Sequence, residues 1–193
     1  MAAAFLNSAR KKALAGAVAC AAIIGIGAAT WLDGADNIAD VHQGIAAAYP
    51  GVSHIGAQEF AAREPADLVI FDTREAGEFA VSHLRGAIHI TPDMPPEDFL
   101  AQFGDTVRGK TAVFYCSVGA RSTQFADQVQ SVLRERGAVD VVNLEQGLFG
   151  WHNGARPLVS QSGQSTRAIH PYDDFWGRLI DDETRISRQP ENF

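Results

Sequence analysis

Cys116 and Arg121 face a common task in the segment Tyr115-Cys116-Ser117-Val118-Gly119-Ala120-Arg121-Ser122. A thiol and a guanidinium this close along the chain, with a glycine between them, suit nucleophilic chemistry on a small anion. The residues before the cysteine, Thr111-Ala112-Val113-Phe114-Tyr115, form an unbroken apolar run, as expected of a strand buried on both faces. Those after it read as a long helix over about Ala120 to Arg136, stopped by Gly137. Cys116 is therefore expected just past the carboxyl end of a central strand, where open α/β sheets place their ligands. It also precedes a helix N-terminus, whose free N–H groups and dipole favour an anion. A thiolate is such an anion, and Arg121 adds a full positive charge, so both effects favour an ionised nucleophile at neutral pH. Gly119 lets the backbone curl so that successive N–H groups turn inward as an anion-binding nest. Loop, thiol and arginine together make a cradle for a small anionic group, with the sulfur ionised and open to solvent. The competing reading is a buried cysteine ending a core strand, with Arg121 on a solvated helix face.

The elements that must position this loop follow an alternating pattern of short apolar runs and amphipathic stretches, the signature of α/β architecture. A helix is expected over Ile38 to Tyr49, ended by Pro50-Gly51, then a strand near Val52–Ile55 and a helix over Gln58–Arg63. Leu68-Val69-Ile70-Phe71, closed by Asp72, is a second buried strand. Glu75–His83 reads as a helix, Ala87–Ile90 as a strand, and Pro95-Pro96 as the opening of a helix running to about Phe103. Val139–Leu144 is the last strand and Gly147 to Asn153 the last helix of the unit. Beyond Pro157, residues 160–165 read as a polar linker. A tail follows in which Phe175, Trp176, Leu179 and Ile180 recur at helical intervals, as in a docking segment. That segment is open to covering the domain, meeting a membrane or binding a protein partner.

The 193-residue chain carries 16 basic and 23 acidic residues, a formal charge of −7. Three of the basic residues, Arg10, Lys11 and Lys12, sit at the amino end, so the rest is more acidic still and offers no electrostatic footprint for nucleic acid. Residues 13–32 lack any charge. As a helix they would span roughly 30 Å, about a bilayer core. Residues 1–32 are thus expected to be a signal or anchor segment whose positive end stays in the cytoplasm, with the remainder periplasmic or extracytoplasmic. Small residues at Gly27, Ala28 and Ala29 leave cleavage open. With two cysteines, one of them Cys20 within the apolar segment, the folded part holds a single thiol. That count excludes a CxxC pair or a cysteine zinc cluster. The six histidines show no metal-ligand spacing, so no metal or cofactor is expected.

Four blocks carry a resemblance that covers Leu68 to Pro157. They are Asp72-Thr73-Arg74-Glu75 with Glu78-Phe79; His83-Leu84-Arg85-Gly86-Ala87-Ile88; the Cys116–Ser122 loop; and Gly147-Leu148-Phe149-Gly150-Trp151 with Gly154 and Pro157. In this order and spacing the chain resembles a single-domain rhodanese, the thiosulfate sulfurtransferase-like family, over residues 36–159. The resemblance implies a rhodanese-like α/β fold, a mainly parallel five-stranded sheet with helices on both faces, here preceded by the N-terminal hydrophobic segment. It implies a sulfurtransferase in which Cys116 carries sulfane sulfur as a persulfide, taken from a small anionic donor and passed to a thiol or cyanide acceptor. The amides of Ser117, Val118, Gly119, Ala120 and Ser122 would cradle the outer sulfur, Arg121 would recruit the donor, and Asp72 and Arg74 would support the loop. Arg85 departs from the family, where proline is common at that turn.

Phosphatase or arsenate reductase chemistry is the less favoured alternative, since rhodanese-fold phosphatases and the cysteine-dependent phosphatases place arginine six positions after cysteine. Here that position is Ser122, and the shorter loop suits one sulfur atom better than a phosphoryl group. A non-catalytic rhodanese-like module binding a partner at the membrane is the other alternative; relatives of that kind typically lose the cysteine.

Overall fold

In a computed structural model that describes residue 35 and residues 37–190, the five strands of one sheet run parallel throughout. Helix α1 (Ile38–Ala48) leads into β1 (Ser53–Ile55), α2 (Ala57–Ala61) and β2 (Leu68–Asp72). Then come α3 (Ala76–Val81), β3 (Ile88–His89), α4 (Pro96–Phe103), β4 (Thr111–Tyr115), α5 (Ala120–Glu135), β5 (Asp140–Leu144) and α6 (Gly147–Asn153). The strand order is β1-β5-β4-β2-β3. β4 is therefore central, and its neighbours β2 and β5 bring their carboxyl ends to the same edge.

Side chains of a strand alternate between the faces of a sheet, and this alternation divides the core. Val113 and Tyr115 of β4 face a layer with Val41 and Ile45 of α1 and Leu148 and Phe149 of α6. Ala112 and Phe114 face the opposite layer, with Phe99 of α4 and Phe125, Ala126, Val129 and Leu133 of α5. Apolar cover on both sides is why β2 and β4 read as continuous apolar runs.

Past α6 the chain stays on the domain. Residues 160–165, read from sequence as a linker, are the turn end of an antiparallel hairpin of β6 (Leu158–Val159) and β7 (Ser165–Thr166). The tail aromatics lie in one short helical turn, α7 (Asp174–Gly177), rather than a longer amphipathic helix. Trp176, Leu179 and Ile180 are buried in the same core layer as α1 and α6. The segment thus covers its own domain, because three large apolar side chains gain more from that layer than from water. The expected signal or anchor segment, residues 1–32, lies outside the described residues. No helix among the described residues is long and apolar enough to cross a membrane.

Candidate active site

The register of β2 on β4 sets Asp72 beside Tyr115, so Thr73 and Arg74 flank Cys116 at the strand ends. From Tyr115 the chain turns through Cys116, Ser117 and Val118 into Gly119, which caps α5 with φ 98°. That left-handed conformation is the one glycine adopts without steric cost. The loop is held from α6. The N–H groups of Leu148 and Phe149, free at that helix's start, donate to the carbonyls of Cys116 (2.8 Å) and Ser117 (2.9 Å). With those two carbonyls held by α6, Gly119 N–H donates to Cys116 Sγ at 3.2 Å. Such close approach requires Gly147 (φ 56°). A Cβ there would lie 2.5 Å from the Cys116 carbonyl oxygen and 2.7 Å from that of Ser117.

The sulfur and the guanidinium differ from the sequence expectation. Cys116 is 1% exposed, not open to solvent, and Gly119 supplies the one loop amide that hydrogen-bonds the sulfur among the described residues. Arg121 does not point into an empty cradle. Its Nη1 and Nη2 donate to Oε2 and Oε1 of Glu78, each at 3.1 Å, and Nη2 also reaches Ser117 Oγ at 3.1 Å. Ser117 Oγ–H donates to Glu78 Oε1 at 2.6 Å. Both ion-pair partners are buried, with side-chain exposures of 11% for Arg121 and 1% for Glu78. Burial opposes ionisation of the Glu78 carboxyl, but Arg121, Arg74 and the hydrogen bonds overcome it, leaving its pKa below the usual value. Burial likewise opposes the charge on Arg121, and the negative charge and hydrogen bonds of Glu78 outweigh it, raising its pKa.

Sequence reading placed Glu78 in the first of the four blocks but gave it no part in the site. At the third position of α3 it reads as a helix-start acid, and it does form a capping box with Glu75. Nothing in local sequence ties it to Arg121. Asn143 was missed as well. Its Oδ1 accepts from Ser122 Oγ–H at 2.5 Å, fastening the first turn of α5 to β5. The signal was present: a lone amide inside Val141-Val142-Asn143-Leu144, where a buried polar group needs a partner.

Asp72 and Arg74 form a second pair, both fully buried. Arg74 Nε and Nη2 clasp the carboxylate at 2.9 Å and 2.7 Å, and Nη2 also donates to the Ser82 carbonyl at 2.6 Å. This pair ties the end of β2 to the end of α3, the element that carries Glu78. Its guanidinium lies 5.8 Å from the centre of the Tyr115 ring, at the residue before Cys116.

Arg121 has two further neighbours. The Tyr172 ring from the tail covers the guanidinium at 4.8 Å. A cavity of about 240 Å³ opens beside it, lined in part by Thr73, Met94, Pro95, Gln124 and Phe125. Among the described residues no group of three or more His, Cys, Asp or Glu side chains could hold a metal ion.

Comparison with known proteins gives a match to the rhodanese-like domain family over residues 57–154. An uncharacterised Synechocystis protein is 26% identical over 118 residues, covering 61% of this chain and 62% of that protein. The tRNA uridine(34) hydroxylase of an aster yellows witches'-broom phytoplasma is 29% identical over 104 residues, 51% of this chain and 32% of that enzyme. The chain thus spans less than two thirds of either curated relative. Among solved structures, a thiosulfate sulfurtransferase from Pseudomonas aeruginosa aligns with a TM-score of 0.48 at 21% identity, covering 64% of this chain and 22% of that one. A rhodanese-related protein from Thermoplasma volcanium aligns with a TM-score of 0.43 at 21% identity, over 55% of this chain and 97% of that one.

Proposed function

Given that this chain belongs to the rhodanese-like domain family, we propose that it is a sulfurtransferase that moves a sulfane sulfur through a persulfide on Cys116. The observation that carries the reading is the Cys116 loop itself: a lone thiol at the carboxyl end of the central strand, with a main-chain N–H on its sulfur.

In the first half-reaction the Cys116 thiolate attacks the outer sulfur of thiosulfate. A new S–S bond forms as the old one breaks, and sulfite leaves with the electron pair. In the second, a thiolate or cyanide attacks the outer sulfur of the persulfide, and Cys116 departs as the thiolate. No net oxidant is needed. Main-chain amides of Ser117, Val118, Gly119, Ala120 and Ser122 serve the terminal sulfur, while α6 anchors the loop from outside. The buried Asp72–Arg74 pair supports the site by fixing α3, and hence Glu78, against β2. Arg121 acts on the donor from within its pair with Glu78, so its field at the sulfur is that of a partly neutralised cation. The basic start and uncharged residues 13–32 support an extracytoplasmic location, by anchor or by export.

The test is intact-mass analysis after exposure to thiosulfate, glutathione persulfide and inorganic polysulfide, with a thiosulfate:cyanide assay alongside. The expected result is one added sulfur on Cys116, absent from Cys116→Ser. Failure of every donor to add sulfur overturns the proposal. The burial of Cys116 favours a second reading, a rhodanese-like module that binds a partner without catalysis. It predicts that Cys116→Ser keeps full function in cells. Hydrolysis of an aryl phosphate is not expected, since the guanidinium is engaged by Glu78.

A further inference from the structure

The family match ends at residue 154, yet the chain beyond it returns to Arg121 of the site. Tyr172 is where it meets Arg121. Its ring lies over the Arg121 guanidinium on one side, while Glu78 holds the charged nitrogens and the cavity lined by Thr73 and Gln124 opens beside it. The backbone under the ring is unusual. Tyr172 has φ 63°, a left-handed conformation that is costly for a bulky side chain and persists only where its surroundings impose it.

Several of the contacts that hold it come from the tail itself. Tyr172 N–H donates to His170 Nδ1 at 3.0 Å, and Asp173 N–H to the Pro171 carbonyl at 2.9 Å. Arg188 joins the Tyr172 carbonyl (3.4 Å) and Asp174 (2.5 Å). On one flank Ile169 is bridged to the 185–187 segment by main-chain bonds of 3.0 Å in each direction, and on the other Trp176, Leu179 and Ile180 are sunk in the core. The ring is thus carried on a braced turn and does not swing on a loose end. A strained backbone that sets a ring on the arginine of the Cys116 loop indicates that the ring's placement has a use.

We propose that Tyr172 is a specificity-determining residue of the Cys116 site, a fixed wall over Arg121 that admits small sulfur donors and turns bulky ones away. The sulfur is 1% exposed, and Arg121, the cation that the proposed function sets against the donor, has one face taken by the Tyr172 ring, so a donor held by that cation must fit in the space the ring leaves. An inorganic donor such as thiosulfate has no substituent to collide with the ring. A persulfide on a tripeptide or a protein does. The proposal rests on the sulfurtransferase reading for its meaning, but access to the thiol is measurable without any sulfur transfer.

The experiment uses the full chain in detergent with Cys20→Ser, so that Cys116 is the one thiol. Alkylation rates are compared for iodoacetamide and for a maleimide bearing a polyethylene glycol chain. Tyr172→Gly removes the ring and suits the positive φ, so it relieves the backbone while opening the wall. The ratio of the bulky to the small rate is expected to rise about 10-fold or more in Tyr172→Gly and to stay within 2-fold of the parent in Tyr172→Phe. The ratio of kcat/KM for glutathione persulfide over thiosulfate should rise in the same variant. An unchanged alkylation ratio in Tyr172→Gly, or an equal rise in both rates, overturns the proposal. So does a Tyr172→Phe ratio matching that of Tyr172→Gly. Failure of all donors to persulfurate the parent would instead refute the sulfurtransferase reading and leave the alkylation ratio to be judged alone.

Discussion

Glu78→Gln puts the electrostatic account of the loop to its hardest trial. The carboxylate has no spare oxygen: Oε2 accepts from Arg121 Nη1 and from the Glu75 N–H, and Oε1 from Arg121 Nη2 and Ser117 Oγ–H. A glutamine amide must set its NH2 against one of these two sites, where it meets at least one Arg121 donor in either orientation. Each hydrogen bond to a charged group is worth about 1.5–3 kcal/mol, and a buried ion left without its partner costs about 3–5 kcal/mol in all. With a urea slope of about 2 kcal/mol/M, the unfolding midpoint should fall by about 1.5–2.5 M. The double variant Glu78→Gln/Arg121→Met removes both charges and should be more stable than Glu78→Gln alone, a coupling of about 2 kcal/mol or more. The effect also depends on pH. Because the folded-state pKa of Glu78 lies below the ordinary 4.5, its contribution is complete above that value and is lost as pH falls through the folded one. Glu78→Gln should therefore lose less stability than the parent as the pH falls below 4.5. A midpoint shift under about 0.3 M, with coupling inside the roughly 0.5 kcal/mol error of such cycles, would refute the account.

Gly147→Ala places a Cβ 2.5 Å from the Cys116 carbonyl at a positive φ, so it should lower stability by about 2–3 kcal/mol in urea and change the Cys116 alkylation rate. A change below about 0.5 kcal/mol would show that α6 does not set the loop. Asp72→Asn leaves the fully buried Arg74 without its counter-charge; about 3–5 kcal/mol should be lost in the same measurement, and a neutral outcome would contradict the pairing. His54 is held neutral first by burial and then by the charge of His42, with its pKa lowered to about 4. Its ring resonances should remain those of the neutral form down to that pH, and an NMR titration centred near 6.5 would disprove the placement.

Much of the architecture was written locally. The apolar runs at Leu68–Asp72 and Thr111–Tyr115 marked strands covered on both faces, Gly137 marked the end of α5, and Pro96 the start of α4. Order and spacing of four short blocks were enough to identify the family and to set Cys116 between a central strand and a helix. Such features depend on a residue and its near neighbours, through periodicity, backbone preference and capping. What surrounds the sulfur depends on sheet order instead. Packing of β4 between β2 and β5 brings Glu78 to Arg121, 43 positions away, and Asn143 to Ser122, 21 positions away. The same packing lays Tyr172 over Arg121 and brings Gly147 against the loop's carbonyls. Side chains alone, read along the chain, predicted a thiol open to solvent beside an arginine acting with its full charge. Burying the loop required the cation to find an anion, and the tertiary fold chose which one, since only it decides which distant groups lose water together.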